Sequence, residues 1–90
     1  MKTSLNSEQI LEVLNNFVPK NEATMTIDVI NATRHIIKSN PNFTYEDVIS
    51  FIRNEQSGKL GGRLGNMTQN LERLIIHLKN ANRINKLKQK

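Results

Sequence analysis

The sequence predicts a small all-α domain built from four helices. Apolar residues recur at helical spacing in four segments, and proline- or glycine-containing stretches separate these segments. No alternating apolar–polar run has a convincing length for a strand, although a very short terminal strand stays open. Ninety residues make one domain, which buries roughly 60–65% of its unfolded surface. With 37% apolar residues and no tryptophan, we expect a small core, marginally stable or completed by dimerisation.

Two helices are predicted in the N-terminal half. The first begins at Asn6 or Ser7, which both suit a cap, and Pro19 ends it. Its apolar side comprises Ile10, Leu11, Val13, Leu14, Phe17 and Val18. The second spans about residues 25–39 and stops before Asn40-Pro41. Its inner stripe comprises Val29, Ile30, Thr33, Ile36 and Ile37, whereas His35 lies on the polar face.

The third helix has the clearest start signal. Thr44 and Asp47 form a capping-box pattern, with aspartate in place of the usual glutamate. Phe43 before the cap and Val48 after it fit a hydrophobic staple. The helix is expected to stop at residues 56–58. Its inward residues are Tyr45, Val48, Ile49, Phe51 and Ile52.

The fourth helix is predicted to begin at Asn66, with Gln69 three residues later, and its pattern fades near residues 80–82. Its inner stripe comprises Met67, Leu71, Leu74, Ile75 and Leu78. Ile76 lies on the outer side. If the helix continues to the terminus, Ile84 and Leu87 join Ile76 in a second apolar stripe, which is typical of a partner helix, a dimer seam or a packing site for the first helix.

Charge changes sharply at the glycine-rich segment GKLGGRLG, residues 58–65, which holds all four glycines. Residues 1–55 carry five Lys/Arg and seven Asp/Glu, whereas residues 56–90 carry eight Lys/Arg and one glutamate. A basic loop that leads into a basic C-terminal third indicates a surface for a polyanion. Nucleic acid is therefore the leading expected partner.

The glycine-rich segment allows several interpretations. Glycine lets a backbone approach a phosphate closely, and Lys59 and Arg63 would then neutralise phosphates, or Arg63 would enter a minor groove. The GxxG spacing resembles the backbone clamp of KH domains, and RNA binding through this loop is one alternative. The structural alternative is a hinge, with Leu60 and Leu64 docked into the core.

From Ile27 to Ile84 the order of signals resembles a winged helix-turn-helix DNA-binding domain. A supporting helix at 27–38 precedes the capped helix at 44–52, and a longer helix opens at residue 66. That helix closes with an apolar residue followed, four residues later, by Asn82, which suits the left-handed turn before a wing. The connection between the last two helices is longer than the usual three or four residues. The resemblance implies a truncated wing, either one strand or a disordered basic tail.

The same resemblance implies that the fourth helix enters the major groove with its N-terminal half. Gln69, Arg73 and Asn80 lie opposite the inner stripe, and glutamine and asparagine suit adenine as arginine suits guanine. The residues expected to contact DNA are Lys59, Arg63, Thr68, Gln69, Asn70, Arg73, His77, Lys79, Arg83, Lys86 and Lys88. An ordinary solvent-facing helix surface would carry the same residue types.

The expected organisation is one domain over residues 1–90, with an N-terminal helix at 1–18, a helix-turn-helix-like core at 24–84 and a basic tail at 85–90. The main hypothesis is a cytoplasmic regulatory or accessory protein that binds duplex DNA, sequence-specifically or with an AT-rich preference, as a homodimer. The rival is a helical inhibitor, adaptor or immunity-type module that meets an acidic protein through Ile76, Ile84 and Leu87.

Enzymatic activity is not expected, because the sequence offers no convincing set of catalytic residues. There is no cysteine, and no nucleophile elbow, metal-ligand spacing or phosphate-binding Walker loop occurs. We therefore expect neither a cofactor nor a metal. No apolar run approaches the ~18–20 residues of a membrane span, and the first residues lack the apolar core of a signal peptide.

Overall fold

The computed structural model describes residues 3–19, 24–57 and 65–89, without the side chains of residues 24, 25 and 65–68. The helices are α1 (Ser7–Asn16), α2 (Thr24–Ser39), α3 (Tyr45–Ser57) and α4 (Gly65–Lys88). No strand occurs in these three stretches, so the prediction of a small all-α domain with four helices is confirmed. The expectations for residues 58–64, including Lys59 and Arg63, lie outside the described residues.

Two capping boxes explain where α1 and α3 begin. The Asn6 side chain accepts a hydrogen bond from the Gln9 backbone N–H at 2.9 Å, and the Gln9 side chain accepts one from the Asn6 N–H at 2.9 Å. Thr44 and Asp47 make the same reciprocal pair, at 3.1 Å and 3.0 Å. Both predicted caps are therefore confirmed. α4 begins one residue before the predicted Asn66.

One apolar core joins all four helices. Its buried residues are Leu5, Ile10, Leu14, Val29, Ile30, Ile37, Tyr45, Val48, Ile52, Leu71, Leu74, Ile75 and Leu78. Thr33 is buried among them because its hydroxyl donates to the Val29 carbonyl one turn earlier, at 2.7 Å. The inward prediction for Val18 is wrong: Val18 is 74% exposed, because α1 ends at Asn16 and the chain continues in an extended conformation at Phe17.

The 24 residues of α4 form one uninterrupted helix of about 36 Å, close to the 42 Å long dimension of the described part of the chain. α1 lies antiparallel to its C-terminal half, so that Phe17 is beside His77 and Leu5 is beside Asn82. The prediction that the helix closes near residues 80–82, with a strand or disordered tail after it, is wrong. Residues 85–88 are helical.

Three amide side chains, which we call the amide clasp, hold the C-terminal part of α4 against the segment that precedes α1. The Asn82 side-chain oxygen accepts from the Leu5 N–H at 2.9 Å, and the Gln89 side-chain oxygen accepts from the Thr3 N–H at 2.6 Å. Asn85 and Gln89 donate to the Thr3 carbonyl at 3.2 Å and 2.9 Å. These bonds explain why the helix persists beyond the end of its apolar pattern.

Candidate functional site

The exposed surface of α4 is the candidate site, and it has three parts. Residues three, four and seven positions apart share one side of a helix. On the side of Glu72 lies the basic strip, formed by Lys79, Arg83 and Lys86. The outer apolar stripe comprises Ile76, Ile84 and Leu87. On the opposite side, α1 and α4 enclose a groove, the α1/α4 groove.

The basic strip lies on a helix with a single acidic residue, Glu72. Its carboxylate accepts hydrogen bonds from Arg53 at 2.9 Å and from Gln56 at 3.2 Å, both on α3. The hydrogen bond from Gln56 and the positive charge of Arg53 lower the pKa of Glu72, and Lys79 adds a smaller effect of the same sign. α3 engages this carboxylate, and no other acid of α4 lies among the three cations that follow it.

The basic strip is accessible at its centre. Lys79 and Arg83 are exposed, and Lys86 is half-buried. Lys88, the last helical residue, is also exposed but lies on the side of the α1/α4 groove, where Glu12 shares the lining with it. The cations of α4 are therefore divided between two sides of the helix, and only the basic strip gathers three of them.

The outer apolar stripe is solvent-exposed from the middle of α4 to its C-terminal end. Ile76 is 47% exposed, Ile84 48% and Leu87 71%. This stripe was predicted on condition that the helix continue to the terminus, and the structure confirms both the condition and the exposure. Three large apolar side chains on one exposed helix surface are typical of a contact surface for another protein chain.

The α1/α4 groove consists of two adjoining cavities of about 440 and 390 Å³. Val13, Asn16 and Ala81 line both cavities. At one end, the Arg73 guanidinium lies 5.3 Å from the centre of the Phe17 ring. The His77 ring meets the same ring edge-on, with the centres 5.5 Å apart. The side chains of Arg73 and His77, both on α4, therefore contact the Phe17 ring of the neighbouring segment.

The residues predicted to contact DNA bases differ in how accessible they are to a partner. Gln69 is exposed and available, and His77 is exposed beside Phe17. Arg73 is half-buried, and one of its terminal nitrogens donates to the Asn70 side-chain oxygen at 3.1 Å. The expectation that Asn70 contacts DNA is wrong, because this residue is only 2% exposed. The hydrogen bond from Arg73 allows the polar Asn70 side chain to be buried at the edge of the inner stripe. The side chain of Thr68 is among those that the structure does not describe.

Sequence reasoning missed the role of Phe17. The helical spacing placed Phe17 on the inner side of the first helix, where it is indeed partly buried against the core. Its contact with Arg73 and His77 depends on the antiparallel approach of α1 to α4. No local pattern in the sequence specifies which segments approach each other over about 60 residues, so nothing there identified this aromatic platform.

No three His, Asp or Glu side chains within residues 3–19, 24–57 and 65–89 are grouped closely enough to hold a metal ion. Over the same residues, no helix is both long and apolar enough to cross a membrane. Comparisons with protein-family models, with curated proteins and with solved structures found no match to this chain. Its function is therefore inferred from the site itself.

Proposed function

We propose that this chain is a small, non-enzymatic regulatory or accessory protein that binds duplex DNA through α4. The basic strip carries the proposal: Lys79, Arg83 and Lys86 share one side of an exposed helix that has no acid beyond Glu72. Such a strip neutralises phosphates irrespective of sequence. The order α2, α3, α4 and its resemblance to a helix-turn-helix support the choice of duplex DNA.

The length of α4 suits this role. At about 36 Å it matches one turn of B-DNA, so its N-terminal half can approach base edges while the basic strip reaches flanking phosphates. Gln69 is the exposed candidate for base contact. Arg73 is not assigned to bases, because its guanidinium lies beside Phe17 at the end of the α1/α4 groove and not with the basic strip. Phosphate binding therefore provides most of the proposed affinity.

A second copy of the chain is the proposed occupant of the outer apolar stripe. Ile76 and Ile84 lie four residues on either side of Asn80. Two α4 helices paired antiparallel about a two-fold axis at Asn80 would place Ile76 of one copy against Ile84 of its partner. The same symmetry would bring both basic strips to one side of the pair, where they form a single cationic surface. Mutual repulsion of the strips would make this dimer more stable with duplex DNA than without it.

Salt-dependent binding of a short DNA duplex tests the proposed function. We expect affinity to fall with a log–log slope of about −0.9 per phosphate neutralised. Lys79→Gln and Arg83→Gln should each make the slope shallower by about one. Lys38→Gln is the matched control, since it removes the same charge from an exposed position on α2. Fluorescence anisotropy at several salt concentrations gives the slopes.

Two outcomes would contradict DNA binding by the basic strip. One is failure to retain duplex DNA even at low salt. The other is an equal loss of affinity with Lys38→Gln and Lys79→Gln, because binding would then follow net charge rather than the strip.

Sedimentation with and without duplex tests the dimer, and Ile84→Glu should leave a monomer in both conditions.

The outer apolar stripe also favours one other function, that of a helical inhibitor, adaptor or immunity-type module. Ile76, Ile84 and Leu87 would then dock a different, acidic protein, with the basic strip at the rim of that interface. This alternative predicts a monomer that is indifferent to DNA. It also predicts that Ile84→Glu abolishes a stable complex with the acidic partner.

A further inference from the structure

The α1/α4 groove has the dimensions of a binding site for a peptide segment. Its two cavities, of about 440 and 390 Å³, share Val13, Asn16 and Ala81 and therefore adjoin along an open channel between the antiparallel helices. Ligand sites in proteins commonly occupy 300–1,000 Å³. The channel follows α1, which is about 15 Å long. That length accommodates two to three turns of a docked helix.

The floor of the groove is apolar and incompletely covered. Val13, Phe17 and Ala81 pack partly against the core and also line the groove. Val18 lies at the end of the groove and is 74% exposed, the most exposed large apolar side chain among the described residues. Covering such surface removes apolar area from water, which favours association.

The charged side chains that line the groove indicate the chemistry of the partner that would bind there. Arg73 and His77 lie beside Phe17, and the residues described as lining this end include no acid. A guanidinium presents donors in a planar fork that suits a carboxylate, and the Phe17 ring and Asn70 fix the plane of Arg73. Glu12 lines only the other end, with Lys88. A carboxylate is therefore favoured at the Phe17 end.

We propose that the α1/α4 groove docks an acidic amphipathic helix of a partner protein. Apolar side chains spaced i, i+4 and i+7 along that helix cover Phe17, Val18 and Ala81, and an Asp or Glu pairs with Arg73 beside His77. This is helix-in-groove recognition. The groove and the basic strip lie on opposite sides of α4, so this proposal does not require DNA binding and adds a second partner to the proposed function. Ile84 of the outer apolar stripe lines the other end of the groove, so the docked helix and the proposed dimer meet only there.

The test uses the full chain and a labelled 14-residue peptide with leucines at i, i+4 and i+7 and glutamates elsewhere. Fluorescence anisotropy should give a dissociation constant in the micromolar range, about 1 µM. We expect Arg73→Gln and Val18→Ser to weaken binding about tenfold and severalfold respectively. Val18 is exposed, so Val18→Ser tests the groove without disturbing the core. Lys79→Gln is the matched charge control and should bind the peptide as the parent chain does.

Four results would overturn the proposed docking of an acidic helix. Equal binding by the parent chain, Arg73→Gln and Val18→Ser would place the peptide elsewhere. An equal loss with Lys79→Gln would reveal attraction by net charge alone. A peptide with lysine in place of every glutamate should not bind, and its binding would contradict the charge argument. Displacement of the peptide by single-stranded DNA with the same dependence on Arg73 would make the groove a nucleic-acid surface instead.

The two proposals fail separately. A shallower DNA salt slope in Lys79→Gln with normal peptide binding supports the basic strip, whatever the groove does. Loss of peptide binding in Arg73→Gln with an unchanged DNA salt slope supports the groove, whatever the basic strip does.

Discussion

The two halves of α4 are stabilised by different interactions. In the first half, residues 65–78, the side chains described from residue 69 onward include four that are apolar and completely buried: Leu71, Leu74, Ile75 and Leu78. Residues 79–88 supply no fully buried side chain and are fixed by the amide clasp and by partial burial of Ala81. The first half is thus part of the core, whereas the second half is an extension held by hydrogen bonds.

This difference concerns dynamics as well as stability. Segments with few buried apolar contacts and many exposed hydrogen bonds open locally, without global unfolding. The C-terminal half of α4 meets that description, and it carries the basic strip and most of the outer apolar stripe. The surfaces proposed to bind DNA and a second chain therefore lie on the part of the helix that is easiest to open.

Truncation in the first half has the largest expected effect. Leu74→Ala removes a completely buried side chain and should lower the free energy of unfolding by about 2–5 kcal/mol. Urea denaturation measures this change. Ile76→Ala is the matched control on the same helix, and we expect it to cost less than about 1 kcal/mol because Ile76 is exposed. Equal costs at the two positions would contradict the assignment of this half to the core.

Loss of the part-buried hydrogen bond of the amide clasp should have the next largest effect. Asn82→Ala leaves the part-buried Leu5 N–H without its acceptor, at a cost of about 1–3 kcal/mol. Hydrogen exchange should become faster at Leu5 and in the last turns of α4, while the amides of Leu71 and Leu74 keep their protection. Asn80→Ala, at an exposed position of the same helix, should change neither quantity appreciably. Uniformly faster exchange in Asn82→Ala would mean that α4 opens as one unit.

The end of the clasp contributes less. Gln89→Ala removes two hydrogen bonds to the Thr3 backbone, both exposed to solvent, and we expect a loss of about 0.5–1.5 kcal/mol at most. The effect should appear chiefly as faster exchange of the Thr3 amide, read by NMR. Gln69→Ala, at an exposed position in the first half, serves as the reference. An unchanged Thr3 exchange rate would argue against the clasp at this residue.

The smallest effect belongs to the ion pair that joins the first half of α4 to α3. The pKa of Glu72 is lowered from its ordinary 4.5 by Gln56 and Arg53, so its contribution to stability is present above that value and is lost as pH falls through the folded-state pKa. Because the Arg53 and Glu72 side chains are 42% and 44% exposed, we expect about 0–1 kcal/mol. Glu72→Gln should remove this part of the pH dependence. Identical curves for both proteins between pH 7 and pH 3 would contradict the pairing.

The sequence predicted the parts of the fold that depend on local chemistry. The caps at Asn6 and Thr44 follow from side chain–backbone hydrogen bonds within a few residues. The inner stripe of α4 follows from the 3.6-residue repeat, and Leu71, Leu74, Ile75 and Leu78 are all buried. The exposure of Ile76 follows from the same repeat.

What the sequence did not predict depends on contacts between distant segments. α4 continues beyond residues 80–82 because Asn82 and Asn85 bond to a segment near residue 3, and polar amides have no apolar periodicity to reveal this. Asn70 was predicted to be exposed because the helical repeat places it outside the inner stripe. Its burial depends on which segments pack against α4, and the repeat does not specify them. The α1/α4 groove likewise arises only when Phe17 meets Arg73.

The amide clasp has a further consequence, because it holds Thr3 and Gln89 within hydrogen-bonding distance of each other, at 2.6 Å. Thr3 and Gln89 are therefore neighbours, and a short peptide bridge that joins these two positions should close the segment between them into a ring without straining any helix. Cyclisation would reduce the conformational freedom of the unfolded polypeptide and so shift its denaturation midpoint upward. New ends could then be opened at an exposed turn such as Pro41-Asn42.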